Sequence, residues 1–291
     1  MKKLMIVASA ALWATVGFSD AIESANVVGY QKTGLTRGEF NYRVATFLPT
    51  DGTDPEEMTL GGIVFENLRQ SSIQILQDGG ETLILDPEEY PLIELDEGVD
   101  LIAQFNYVSA SAAGANGEGW YLVDDADYAY NMNDWIVPFG QQYVVDCGDR
   151  NMTVLDAGEV AREDMEFDVE RGTFNYFGNC SPEDITLGDL TFTNLRQSSI
   201  QILQDGGETL LLDPEEYPLI ELDEGVDLIA QFNYVSASAA GTNGAGWYLV
   251  DDADYAYNMN DWVIESGAGF VIDCGDRNMT VVIPSALPIE D

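Results

Sequence analysis

Ser72-Ile-Gln-Ile-Leu76, Gln77-Asp-Gly-Gly80 and Glu81-Thr-Leu-Ile-Leu85 follow one another without a break, and the same stretch recurs at 199–212 with one change, Ile84 to Leu211. The outer two segments alternate apolar and polar residues, the period that places one face of a strand in a core. The middle segment supplies turn chemistry, so the stretch reads as a β-hairpin. Working outward, Leu101–Val108, Trp120–Val123, Gln142–Cys147 and Asn151–Leu155 read as further strands. Short turns separate them, and no segment carries a sustained helical period. Residues 59–67 have room for one short helix or turn, and Ser109–Gly119 reads as a small-residue loop. This spacing predicts an all-β chain built as a sandwich or small barrel.

The hairpin repeats because a long segment does. Residues Asn67–Leu155 recur as Asn194–Val282, offset by 127 positions without a gap, and 12 of the 89 aligned positions differ. Only three of those differences fall within Asn67–Trp135: Ile84/Leu211, Ala115/Thr242 and Glu118/Ala245. Upstream the match decays to short anchors, Arg37-Gly-Glu-Phe-Asn-Tyr42 against Arg171-Gly-Thr-Phe-Asn-Tyr176 and Met58-Thr-Leu-Gly61 against Ile185-Thr-Leu-Gly188. Two old, diverged heads with nearly identical later segments imply a tandem pair in which one segment was copied over from one unit to the other. The expected organisation is two homologous β-domains, residues 22–155 and 156–283, followed by a tail, 284–291.

Residues 1–21 read as a secretory signal peptide. Lys2 and Lys3 precede the apolar run Leu4–Phe18, and Ser19-Asp20-Ala21 offers small residues where cleavage occurs. The run is too short to span a bilayer comfortably. The expected location is therefore outside the cytoplasm: extracellular, at the cell surface or in a periplasm. The chain carries 52 acidic against 11 basic residues, no His and a net charge of −41. Nucleic acid and anionic membranes require a basic face, so neither is expected as a partner. The acidity itself has two readings, a surface suited to salty water or a set of Ca²⁺ ligands. Cys147 and Cys274 are equivalent positions, and Cys180 has no counterpart. Export permits a disulfide, with Cys180–Cys274 the pair inside one unit, but buried free thiols are the simpler expectation.

Glu23-Ser-Ala-Asn-Val-Val-Gly-Tyr30, the Ser72–Leu76 strand, Gly119-Trp-Tyr121 and Ala157-Gly-Glu-Val160 resemble a group of exported bacterial proteins. Those proteins carry tandem β-domains behind a signal peptide. The resemblance implies export and the two-domain layout, and it brings no catalytic residues.

The densest chemical candidate is Gly119–Trp135, repeated unchanged at Gly246–Trp262. Trp120, Tyr121, Tyr128, Tyr130 and Trp135, with Trp247, Tyr248, Tyr255, Tyr257 and Trp262, offer ring faces beside Asp and Asn side chains. That combination suits sugars, since rings pack on pyranose C–H groups while amides and carboxylates bond hydroxyls. The opposing reading makes Trp120 a core residue and the tyrosines a cover for a sheet. Asp124, Asp125, Asp127 and Asn131, with Asp251, Asp252, Asp254 and Asn258, could supply an irregular Ca²⁺ site, although the EF-hand spacing fails for want of its Gly and closing Glu. No other cofactor is expected. The acidic segment Asp86–Asp100 contains Ile93-Glu-Leu-Asp96, which alternates as a charged edge strand should.

Three functions follow. A secreted, non-catalytic, bivalent module could bind carbohydrate or another cell-surface component. A structural protein could self-associate through its repeat. A hydrolase would have to use paired carboxylates, because Cys–His and zinc chemistry lack a histidine. The charge makes its own prediction. Screening of mutual repulsion among the carboxylates should raise the melting temperature as NaCl is added. A thermal-shift series that stays flat between low and high NaCl contradicts it.

Overall fold

The structure, a computed structural model, describes residues 28–286 apart from 50–53, 55–56, 78–79, 197, 205–206 and 224. The expected signal peptide and most of the tail lie outside the described residues. The first unit contributes β1 (Val28–Leu35), β2 (Phe40–Arg43), β3 (Val64–Glu66), β4 (Ser72–Ile75), β5 (Gln104–Val108), β6 (Gly119–Leu122), β7 (Tyr143–Asp146) and β8 (Met152–Glu159). The second contributes β9 (Met165–Val169), β10 (Phe174–Gly178), β11 (Ile185–Thr186), β12 (Thr191–Thr193), β13 (Ser199–Ile202), β14 (Gln231–Val235), β15 (Gly246–Leu249), β16 (Val263–Ile264), β17 (Gly269–Asp273) and β18 (Met279–Ile283). The all-β reading holds: the only α-helices among the described residues are the single turns α1 (Ala110–Ala113) and α2 (Ala237–Ala240). No described helix is long and apolar enough to cross a membrane.

Every sheet is antiparallel, and the two units repeat one plan. A five-stranded sheet runs β2-β7-β4-β5-β6 in the first and β10-β17-β13-β14-β15 in the second. A three-stranded sheet runs β1-β8-β3 in the first and β9-β18-β12 in the second. Leu35, Met152 and Val154 of the small sheet share one buried cluster with Ile73, Phe105, Trp120 and Val145 of the large one, so each unit is a two-layer sandwich. β8 runs on to Glu159, pairing Asp156 with Gln31 and Glu159 with Val28. The boundary expected after residue 155 thus falls inside a strand of the first unit.

Local expectations fare unevenly. The hairpin register is present, with Gln77 N–H donating to Glu81 O and Leu83 N–H to Ile75 O. Its second arm is held by isolated bridges, not by a continuous ladder. The small-residue loop contains α1 and a 3₁₀ turn. The Ile93–Asp96 edge strand does not form, because the Pro-bounded segment has no ladder partner. Its alternation still sorts side chains, with Ile93 and Leu95 packed on the core and Glu94 and Asp96 exposed.

The two large sheets meet face to face around an approximate twofold axis. A cavity of about 200 Å³ between them is lined by Phe40, Tyr42, Gln74, Leu76, Gly80 and Val144, and by their equivalents Phe174, Tyr176, Gln201, Leu203, Gly207 and Val271. The Tyr42 hydroxyl lies 3.2 Å from where a Cβ on Gly207 would sit, and the Tyr176 hydroxyl 3.3 Å from the same point on Gly80. Glycine at these two turns lets the opposite tyrosine approach.

All three cysteines are free and buried. Burial pushes the Cys180 thiol up to about 12, and it raises Cys147 and Cys274 as well. Thiolate is the reactive form. A thiol-specific chromogenic reagent should therefore read no reactive cysteine at pH 8 in the folded protein and three in denaturant. Rapid labelling without denaturant contradicts this packing.

Candidate functional site

The aromatic segment turns its rings inward. Trp120 and Trp247 are 2% exposed and Tyr121 and Tyr248 are fully buried, so these four cannot be platforms for a sugar. Trp120 packs edge-on against Phe65 and Tyr107, and Trp247 packs on Phe192 and Tyr234. Trp135 lies half-buried on Phe105 at 5.3 Å, and Trp262 on Phe232 at 5.2 Å. Tyr130 packs edge-to-face with Tyr90 and its hydroxyl accepts from Leu92 N–H, and Tyr257 does the same with Tyr217 and Leu219. Their work is to fasten the irregular acidic segment to the sandwich. Each strand of Gly-Trp-Tyr-Leu is buried on both faces, which explains why alternation alone does not reveal it.

The carboxylates are divided in the same way. Asp125 is buried and accepts from the Ala129 and Tyr130 amides at 2.9 and 2.8 Å, closing the turn at whose centre Tyr128 takes a left-handed φ of 52°. Asp252 repeats this with Ala256 and Tyr257. Asp124 and Asp251 are half-buried, whereas Asp127, Asp254, Asn131 and Asn258 are exposed. Asn131 donates to the Tyr121 hydroxyl and Asn258 to that of Tyr248. Among the described residues no group of three or more Asp, Glu, Cys or His side chains could hold a metal ion. The Ca²⁺ site expected at Asp124–Asn131 and Asp251–Asn258 is not assembled, because the central aspartate of each set is taken by backbone amides.

These residues build an open cleft instead. Buried Tyr121 sends its hydroxyl to the Asn116 and Gly117 carbonyls at 2.9 and 3.0 Å, which seats the α1 loop over the end of β5 and β6. Asn116 in turn donates to Tyr128 O at 2.7 Å. Between this loop, the 123–128 turn and the 67–71 segment lies a cleft of about 940 Å³. Asn106, Tyr107, Ser109, Tyr128, Arg69 and Arg150 present its polar groups, and Asn67 and Gln70 on its wall hold left-handed φ values of 64° and 50°. Non-glycine residues in that region carry strain that tends to gather at ligand sites. Arg150 is tied to Asp149 at 3.0 Å and holds that carboxyl below its usual range. Burial, then the Glu118 carboxylate, raises the Tyr107 hydroxyl.

The second unit holds the equivalent cleft, about 670 Å³, with Arg196, Asn233, Tyr234, Ser236 and Tyr255. Of the positions lining the first cleft, only Glu118 changes, to Ala245. Sequence reasoning found Tyr121, Asp125, Tyr128, Asp252 and Tyr255 of the two linings but missed Asn67, Arg69, Gln70, Asn106, Ser109 and Arg150, which are scattered along the chain. One signal was available: every lining residue lies within the copied segment, which opens at Asn67. Compared with models of known families, with curated proteins and with solved structures, the chain shows no match.

The Asp125 turn can be tested directly. Asp125→Ala leaves two amides without their acceptor and should cost about 2 kcal/mol in urea denaturation. Asp127→Ala, on the exposed side of the same turn, should stay within about 0.5 kcal/mol. Equal effects contradict the assignment.

Proposed function

We propose that this is an exported, non-catalytic protein that binds a neutral carbohydrate, or another polyhydroxylated cell-surface component, through two equivalent clefts. The observation that carries this reading is the near-identity of the clefts after their heads diverged. Each offers half-buried tyrosine rings for C–H stacking, with an asparagine amide, a serine hydroxyl and an arginine for hydroxyl oxygens. The large negative charge repels polyanions and favours an uncharged ligand. Hydrolysis is less well supported, because it needs two available carboxylates. Asp125 is held in its turn, and where the first cleft has Glu118 the second has Ala245. Two linked sites raise the affinity for a repeating polymer through effective concentration alone.

A glycan array with the full chain, followed by calorimetry on the retained oligosaccharide, tests the reading. Two equivalents should bind per chain. Asn106→Ala or Asn233→Ala should leave one, and the double variant none at the same ligand concentration. Failure to retain any neutral glycan, or a stoichiometry indifferent to both substitutions, overturns it.

A further inference from the structure

Four buried side-chain polar atoms among the described residues lack a hydrogen-bond partner: Thr33 Oγ1, Arg43 Nε, Tyr143 Oη and Asp156 Oδ2. They belong to one neighbourhood. Gln31, Thr33 and Asp156 share the inner face of β1 and β8, where Gln31 pairs with Asp156 and Thr33 with Val154. Arg43 and Tyr143 pair across β2 and β7 on the opposing sheet. The Thr46 hydroxyl donates to Gln31 Oε1 at 3.3 Å and lies beside the Asp156 carboxyl.

The second unit shows that the fold does not require this chemistry. Strand register matches Gln31 with Met165, Thr33 with Phe167, Arg43 with Phe177, Tyr143 with Phe270 and Asp156 with Ile283. Thr46 corresponds to Cys180, whose Sγ meets Met165 Sδ at 3.5 Å just as Thr46 meets Gln31. All these counterparts are apolar or sulfur-bearing, and most join the second core. Exchanging a buried charged set for a packed apolar one commonly leaves stability unchanged or improves it. Holding one sandwich together is therefore a poor reason for the first unit to keep its charges.

The cluster does reach the other unit. Arg43 Nη2 donates to Ser266 O at 3.3 Å, and Ser266 Oγ to Gln31 Oε1 at 3.0 Å. A Cβ on Gly267 would fall 2.2 Å from Arg43 Nη2, so glycine makes room for the guanidinium. Beside it, Val44 N–H donates to Gly267 O at 3.2 Å.

We propose that the Arg43–Asp156 cluster is a proton-sensitive joint between the two units, held closed when Asp156 is protonated and loosened when it ionises. The groups facing Asp156 are Arg43 from β2, the Tyr143 phenol from β7, neutral Gln31 and Thr33 from β1, and the Thr46 hydroxyl. Across the joint the Asp184 carboxylate accepts from Ser266 N–H at 2.9 Å. Arg43 makes no ion pair within 4.0 Å of Asp156, so its attraction offsets desolvation only in part. Burial lifts the carboxyl from 3.8 to about 6 in the closed form. A raised acid binds its proton more tightly closed than open, so closure is favoured at low pH and weakens as pH rises through that range. None of these residues lines either cleft.

Amide hydrogen exchange at Val44, corrected for the intrinsic rate, reads the joint. Between pH 5 and 8, above the isoelectric point, protection in the full chain should fall roughly tenfold. In Asp156→Asn it should stay level. Arg43→Phe with Asp156→Ile, which installs the second unit's pair, should also stay level and serves if the single variant does not fold. Protection at Phe105, deep in the first core, reports the general charge repulsion. An equal fall at Val44 and Phe105, or a fall at Val44 that persists in the variants, overturns the proposal.

Discussion

A five-stranded sheet with apolar residues on both faces must be covered twice, and nearly everything in this molecule follows from that requirement. Along β4 and β7, Ile73, Tyr143 and Val145 face the small sheet, while Gln74 and Val144 face the other way. One face is closed by β1, β8 and β3 of the same unit. The other is closed by the equivalent face of the second unit. Each sandwich is thus completed by its twin, and the joint is an internal counterpart of the self-complementary interface in twofold dimers. Apolar area removed from water supplies the drive at both layers.

A twofold joint within one chain is free to become asymmetric in a way that two copies of one gene product are not. Here the departure is concentrated. At the centre the same six positions of each unit line the shared cavity. Toward the end of β2, one side keeps Arg43 and the other Phe177. The buried Gln142 of the first unit, its amide nitrogen turned toward the carbonyls, donates to Phe177 O at 2.8 Å and Phe270 O at 3.1 Å, over the space left by Gly269. Polar side chains of the first unit reach backbone groups of the second, and glycines of the second receive them. Buried donors must find acceptors, so these pairings also fix how the two sheets meet.

How much of this was legible in the sequence depended on whether a residue's signal was local. The Ser72–Leu76 hairpin announced itself, because alternation and turn chemistry are carried by neighbours in the chain. Gly119–Leu122 did not disclose its orientation, since a strand buried on both faces has no alternating pattern, and exposed rings could not be told from core rings. Ile93–Asp96 alternated without becoming a strand, because pattern sorts side chains but a ladder needs a partner. The cleft was the least legible feature. Asn67, Asn106 and Arg150 come to one cleft only through the pairing of distant strands, which leaves no mark on a linear sequence. The buried cluster was invisible for the same reason: Arg43 and Asp156 are 113 positions apart in a chain already crowded with carboxylates.

The repeat also explains where it fails to repeat. Seven of the 12 differences in the copied segment fall within residues 136–143 and their counterparts. Ile136 and Val137 pack within their own unit, but two others sit where the units touch: Phe139, packed in the second unit's core, answers to Ser266, and Gln142 answers to Gly269. Copying them unchanged would replace Gly269, under Gln142, with a second glutamine, and Ser266, whose oxygens serve Arg43 and Gln31, with phenylalanine. Either change crowds or orphans a buried polar group, at a cost on the order of 1–3 kcal/mol each. The cleft residues face solvent within their own unit and meet no such conflict. Identity is therefore retained in the clefts and at the symmetric centre of the joint, and difference is retained where Arg43 and Gln142 of one unit must fit Ser266, Gly267 and Gly269 of the other.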